Sequence, residues 1–156
     1  MRTNNIIIAS GGFDPLTSAH VDYLSAANLL GRRLYVGVNS DNWLKQKKGN
    51  FFMSEEERVQ IVGSIAGVTD AMLFDDSDGT AIDLIKRVIH QYEYMSASRY
   101  LKPNFIFVNG GDRTADNIPE MNHEYSQPVQ FLFGIGGTEK TQSSSELLAR
   151  WVQLNT

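Results

Sequence analysis

Residues 11–20 constrain this chain more than any other segment, because they join an apolar strand to a helix through two glycines. They read Gly-Gly-Phe-Asp-Pro-Leu-Thr-Ser-Ala-His. The apolar residues 6–9 before them predict a buried strand, and residues 21–30 after them place apolar side chains at helical spacing. A strand, a glycine turn and a helix start present backbone N–H groups and a positive dipole end to an anion. The segment therefore predicts a phosphate site.

Two side chains in this segment could add chemistry to that site. Thr17 and His20 stand three residues apart at the predicted helix start, so they would lie on one face and point to one place. The alternative is a plain tight turn with a surface histidine, since glycine turns before helices are common. The combination of a hydroxyl, an imidazole and the nearby Asp14 favours a functional site.

Strand-like and helix-like segments alternate along the whole chain. The predicted strands are residues 6–9, 33–38, 68–74, 104–108 and 129–133, and the predicted helices are residues 21–30 and three others that begin near Ser54, Thr80 and Ser143. Residues 39–53 are predicted to be a polar loop. The pattern predicts an α/β chain in which residues 1–156 form a single Rossmann-like domain. Its sheet would have five parallel strands with helices on both faces.

Composition narrows the class of protein. With 156 residues, 42% hydrophobic and 21% charged, the chain resembles an ordinary soluble domain. No apolar run approaches the ~18 residues of a membrane span, and no signal peptide is evident, so we expect a cytoplasmic protein without membrane contact. The net charge of −4 argues against nucleic-acid binding. Without cysteine, and with no ligand spacing around His90 or His123, we expect no dedicated metal site.

Polar groups follow several of the predicted strands and should therefore meet at one edge of the sheet. They are His20, the lysines from Lys45 to Lys48, Gly110-Gly111-Asp112 and the serines Ser143, Ser144 and Ser145. Such a crevice suits a nucleoside triphosphate whose α-phosphate is attacked by a second phosphate. Because both reactants are anions, positioning and charge neutralisation would carry most of the catalysis.

The motifs themselves resemble the cytidylyltransferase-like nucleotidyltransferase superfamily. Residues 12–20 are similar to its first motif, Gly-x-Phe-Asp-x-x-(His or Thr)-x-Gly-His, and residues 143–150 resemble its second, a Ser/Thr-rich helix start followed by a basic residue. Residues 110–112 resemble the Gly-Gly-Asp of heptose-phosphate adenylyltransferases, whereas residues 44–48 also look like glycerol-3-phosphate cytidylyltransferases. ATP and CTP therefore both stay open as the nucleotide.

The resemblance implies that an NTP and a phosphorylated sugar or polyol react, with Mg²⁺ bound to the NTP and release of pyrophosphate. It assigns catalysis to Thr17, His20 and Lys45, and acceptor binding to Asp14 and Arg58. The residues implied to bind the nucleotide are Gly12, Phe13, Ala19, Gly111, Asp112, Ser143, Ser144, Ser145 and Arg150. We also expect a homo-oligomer, for example a dimer.

Some alternatives remain at this point. Arg58 could form a structural ion pair, Arg150 could interact with a helix dipole, and Ser143 with Glu146 could be a capping box. Ala19 stands where the family has glycine, which leaves open a nucleotide sensor without turnover. A phosphopantetheine-type adenylyltransferase is a further possibility. A flavodoxin-like module would not explain the Thr17/His20 pair, and the chain is too short for a class I aminoacyl-tRNA synthetase.

Overall fold

The apolar run near the N-terminus is the central strand of the sheet. The computed structural model describes residues 4–95, 102–111, 118–137 and 143–156. The strands are β1 (Asn5–Gly11), β2 (Arg33–Val38), β3 (Asp70–Leu73), β4 (Asn104–Val108) and β5 (Val129–Leu132). They pair in parallel in the order β3-β2-β1-β4-β5. The predicted five-stranded parallel sheet is confirmed.

Five helices accompany the sheet in the described ranges. They are α1 (Ser18–Asn28), α2 (Asp41–Lys48), α3 (Glu55–Gly63), α4 (Ile82–Met95) and α5 (Ser144–Leu154), with a short 3-10 helix at Pro119–Asn122. No helix in these ranges is both long and apolar enough to cross a lipid bilayer.

The strand period of two divides the core into two layers. Ile6 and Ile8 pack on one face of the sheet with apolar residues of α4, such as Leu84. Ile7 points to the other face, where it packs with Leu24 of α1 and others of that layer. All of these side chains are fully or almost fully buried. The predicted arrangement, with helices on both faces, is therefore confirmed.

The polar loop predicted for residues 39–53 is wrong over eight residues, which form α2. Only Leu44 in this helix is buried, so it carries almost no apolar periodicity. Its ends specify it instead. The Ser40 side chain accepts a hydrogen bond from the Trp43 N–H at 3.1 Å, and Gly49 closes the helix with a left-handed φ of 90°.

Candidate active site

A cleft of about 500 Å³ lies at the carboxyl edge of the sheet. The segments that follow all five strands contribute to it. From β1 to β5, examples of these lining residues are Gly12, Asn39, Thr80, Asn109 and Ile135. β1 lies between β2 and β4, so the chain order reverses beside it. Open parallel sheets bind ligands at such a crossover. The edge predicted from the sequence is therefore the edge with the cleft.

His20 sits in this cleft with a defined orientation. Its Nδ1 accepts a hydrogen bond from the Thr17 N–H at 3.0 Å, and Thr17 Oγ1 lies 3.3 Å from the same nitrogen. Thr17 is the N-cap of α1 and His20 is the third helical residue, so the imidazole fills the place of the Glu or Gln in a capping box. Because a backbone N–H can only donate, the neutral ring carries its proton on Nε2.

The first loop holds the imidazole from a second side as well. Phe13 is buried, has a φ of 52°, and its ring packs edge-on against that of His20 with centroids 5.2 Å apart. Gly12 and Ala19 line the cleft beside it. Among the predicted first-motif residues, Gly12, Phe13, Ala19 and His20 line the cleft, whereas the buried Thr17 holds His20 from outside the lining.

The second predicted motif lies at the cleft next to the first loop. Ser143, Ser144 and Ser145 all line the cleft, and the buried Ser144 donates its Oγ–H to the Pro15 carbonyl at 2.7 Å. Ser143 is the N-cap of α5 but makes no side-chain capping bond, so the capping box with Glu146 is not formed. One hydrogen bond therefore ties the start of α5 to the loop that opens α1.

Asp14 and Arg58 are part of the framework beneath this site. The buried Asp14 carboxylate accepts the N–H groups of Phe52 at 2.6 Å and Met53 at 2.7 Å. The fully buried Arg58 donates to the carbonyls of Gly12, Asn39 and Met53 and pairs with Asp41 at 2.8 Å. For Arg58 the structure shows the ion-pair alternative. Both side chains fasten the loops after β1 and β2 to the start of α3.

Arg58→Met is expected to lower the free energy of unfolding by about 3 kcal/mol or more, because the Asp41 carboxylate and three backbone carbonyls lose their hydrogen-bond donor. Urea denaturation measures this change. The matched control is Arg87→Met: the Arg87 side chain is 54% exposed and pairs with Asp83 on the same helix. That change should cost less than about 0.5 kcal/mol. Equal losses in the two variants would contradict the framework role of Arg58.

Two lysines of α2 differ in where they lie. Lys48 lines the cleft, together with Trp43. Lys45 is outside the cleft lining, and its Nζ lies 5.3 Å from the centroid of the Phe51 ring. The structure thus brings Lys48, rather than the predicted Lys45, to the cleft.

In the half of the cleft beside β4 and β5, glycine residues bring the backbone close to Tyr23. Tyr23 donates its hydroxyl to the Val108 carbonyl at 3.0 Å, and burial raises the pKa of this phenol above its ordinary value. A Cβ on Gly110 would come within 3.1 Å of the Tyr23 ring, and one on Gly136, with a φ of +78°, within 3.0 Å of the Tyr23 Cα. Gly111 also lines the cleft here, whereas the predicted Asp112 lies outside the described residues.

Two remaining features stand apart from the cleft lining. Arg150 is exposed on α5. Asp41, Glu55 and Glu56 bring carboxylate oxygens within 4.8 Å of one another, a spacing that could suit a cation. Asp41 is already paired with Arg58, and Glu55 accepts the Asp41 N–H at 3.2 Å. This group belongs to the same framework as Arg58.

Sequence reasoning did not single out several cleft residues. Tyr23 stands three residues after His20 on the same helix, so helical spacing could have found it. Trp43 was hidden by the assignment of residues 39–53 to a loop, whereas Lys48 was named with the other lysines at this edge but was given no role of its own. Glu120 also lines the cleft, but it comes from a polar stretch without periodicity and no sequence signal indicates it.

Known proteins have sequences similar to that of this chain. The bifunctional protein HldE of Syntrophotalea carbinolica is 28% identical over 156 residues, which is 97% of this chain and 29% of that protein. The HldE of Methylobacillus flagellatus is 35% identical over 115 residues, 72% of this chain and 20% of that protein. This chain spans less than a third of the length of these relatives.

Solved structures show the same fold. A lipopolysaccharide core biosynthesis protein from Thermoplasma volcanium matches with a TM-score of 0.60 and 22% identity, covering 88% of this chain and 98% of that one. NadR protein in complex with NAD and AMP-PNP matches with a TM-score of 0.56 and 16% identity, covering 97% of this chain and 42% of that one.

A model of a known protein family also matches most of the chain. Residues 8–146 match the model of the family described as cytidylyltransferase-like. This range runs from β1 to the first turn of α5, so it contains both the first loop and the serines at the start of α5. On this evidence the chain belongs to the cytidylyltransferase-like family of nucleotidyltransferases.

Proposed function

We propose that this chain transfers a nucleotidyl group from an NTP to a phosphorylated sugar or polyol and releases pyrophosphate. The observation that carries the proposal is the bond from Ser144 Oγ to the Pro15 carbonyl, which holds the starts of two eleven-residue helices at one cleft. Each helix start attracts phosphate through its N–H groups and its dipole. Two such starts at one cleft, one of which carries His20, suit a triphosphate better than a single phosphate.

The reaction itself is an exchange of phosphate bonds. An oxygen of the acceptor phosphate attacks the α-phosphorus of the NTP, and the bond from that phosphorus to the α,β-bridging oxygen breaks. Pyrophosphate leaves with this oxygen and its electron pair, and no protein nucleophile is required. His20 donates its Nε2–H to the oxygens on which charge develops, and Lys48 offsets the charge of the two approaching anions.

Mg²⁺ enters this scheme as a partner of the triphosphate. Among the described residues that line the cleft, the carboxylates are Asp22 and Glu120. This fits a magnesium ion that is held mainly by phosphate oxygens and water, with one or two protein carboxylates at most. The ion would supply further charge neutralisation on the triphosphate. Of these two carboxylates, Asp22 lies on α1, the helix that also carries His20.

The test is a pyrophosphate-release assay with ATP or CTP, Mg²⁺, and one acceptor at a time. The acceptors are D-mannose 1-phosphate, D-glycero-D-manno-heptose 1-phosphate, sn-glycerol 3-phosphate and 4′-phosphopantetheine. We expect release with one nucleotide and with at least one of the hydroxylated acceptors. Turnover with 4′-phosphopantetheine alone would instead establish the adenylyltransferase alternative.

A thermal-shift screen of nucleotides separates binding from turnover, because a ligand that binds only the native state raises the apparent Tm. It also identifies the base before the acceptor is known. A clear shift with an NTP, without pyrophosphate release for any acceptor, would favour a nucleotide sensor and point to Ala19 as the cause. The homo-oligomer and the cytoplasmic location stay predictions.

A further inference from the structure

Glu120 contributes a buried carboxylate with one unsatisfied oxygen to the wall of the cleft. The residue is 8% exposed. Its Oε1 accepts the Ala81 N–H at 3.0 Å, while its Oε2 is shielded from solvent and has no hydrogen-bond partner in the described part of the chain. An unpaired buried polar atom costs free energy, so native proteins seldom keep one without a reason. A ligand in the cleft would supply that reason.

The hydrogen bond to Ala81 locates Glu120 within the cleft. Ala81 and Thr80 follow β3 and precede α4, so Glu120 lies with the segments after β2 and β3. The glycines after β4 and β5 line the same cleft from the other side of β1, and the serines of α5 line it beside the loop after β1, to which Ser144 is bonded. If the triphosphate lies between α1 and α5, the β2–β3 side of the cleft is left for the acceptor.

The chemistry of this side favours an uncharged, hydroxylated group. The Glu120 carboxylate already occupies the start of α4, which makes this helix start unfavourable for a phosphate. Asn39, Thr80 and Lys48 are the other described polar side chains on the β2–β3 side of the cleft. Amide, hydroxyl and carboxylate groups are common partners of sugar hydroxyls. Lys48 is the group that suits the acceptor phosphate.

Glu120 lines the cleft, so a ligand bound there lies next to its carboxylate. The Ala81 backbone covers Oε1, and the Glu120 carbonyl accepts the Tyr125 hydroxyl at 2.8 Å, so these groups have protein partners. Pro119 and Ile118, the neighbours of Glu120 in sequence, also line the cleft. A hydroxyl donor that enters beside them would satisfy the remaining oxygen with a charge-assisted hydrogen bond.

We propose that Glu120 is a specificity-determining residue whose Oε2 accepts a hydrogen bond from a hydroxyl of the acceptor. The inference rests on the function proposed above and narrows its substrate class. It selects phosphorylated sugars and polyols that carry a hydroxyl at this position. It disfavours acceptors that place an apolar group or a second phosphate there, because the carboxylate would then lose its donor or face a like charge.

Glu120→Gln tests the proposal while keeping the bond to Ala81, since the amide oxygen can replace Oε1. Binding of D-mannose 1-phosphate and of sn-glycerol 3-phosphate is measured by calorimetry on protein saturated with α,β-methylene-ATP or α,β-methylene-CTP. We expect the Kd of the better acceptor to rise about tenfold, as a neutral amide replaces a charged hydrogen-bond acceptor. The Kd of the nucleotide analogue and the Tm should stay unchanged. Glu120→Met removes both oxygens and should weaken acceptor binding further.

The matched control is Glu124→Gln, which removes the same charge from an exposed residue outside the cleft lining. It should leave acceptor affinity unchanged. Unchanged acceptor binding in Glu120→Gln, an equal loss of nucleotide affinity, or no binding of either acceptor to the wild-type protein would each overturn the proposal. If acceptors bind and depend on Glu120 but no pyrophosphate is released, the proposed transfer reaction fails while the specificity role stands.

Discussion

Replacing His20 by glutamine is expected to lower kcat by about 10²–10³ and to leave the Kd of the NTP almost unchanged. Glutamine at the third helical position can still reach back to the Thr17 N–H, so α1 keeps its cap. In the proposed mechanism, the variant lacks a donor to the oxygens that gain charge in the transition state, and such a donor contributes little to ground-state binding. Steady-state kinetics and equilibrium nucleotide binding measure the two effects separately.

His90→Gln is the control for this experiment, because His90 lies exposed on α4 and does not line the cleft. It should behave as the wild-type protein does. His20→Ala should lose the same turnover and, in addition, about 1 kcal/mol of stability with the cap. A His20→Gln variant that loses nucleotide affinity and turnover by equal factors would show that His20 binds the ground state instead.

Lys48→Met is expected to reduce kcat/KM for nucleotidyl transfer by about 10², whereas Lys45→Met should stay within about threefold of wild type. Both lysines stand in the last turn of α2, so the substitutions remove the same charge from nearly the same place. The difference lies in direction, because Lys48 lines the cleft and Lys45 packs over the Phe51 ring.

If Lys48 acts on the transition state, Lys48→Met should lower kcat, measured with saturating acceptor, by the same factor as kcat/KM, measured with dilute acceptor; a change in acceptor KM alone would assign the lysine to binding. A larger defect in Lys45→Met than in Lys48→Met would contradict the placement of these side chains. The role inferred from motif order would then be restored to Lys45.

The architecture of the sheet could be predicted because local pattern and tertiary structure agree. β2 and β4 begin and end at the predicted residues, and the alternation of buried side chains in β1 serves both faces. α2 could not be found in this way. Its single buried residue gives no period, and the evidence for it lies in Ser40 and Gly49, which are capping signals rather than apolar ones.

For the candidate site, too, the sequence predicted the contiguous motifs but not the directions of single side chains. Thr17 with His20 and the serine run are contiguous motifs, so their meeting at one sheet edge followed from topology. The directions of the lysine side chains did not follow, because their segment was predicted to be a loop, and Lys45 was assigned its role from motif order alone. Arg58 looked equally suitable for substrate and for structure until its partners were known.

The sequence by itself determined the fold class, the edge that carries the candidate site and the two helix starts proposed to bind phosphate, because each depends on order and spacing along the chain. Only the tertiary structure decided which charged groups face the cleft and which hold its walls together. That distinction depends on contacts between residues far apart in sequence, such as Arg58 with Gly12 and Glu120 with Ala81. Burial and hydrogen-bond partners, rather than residue type, separate a ligand-facing charge from a structural one.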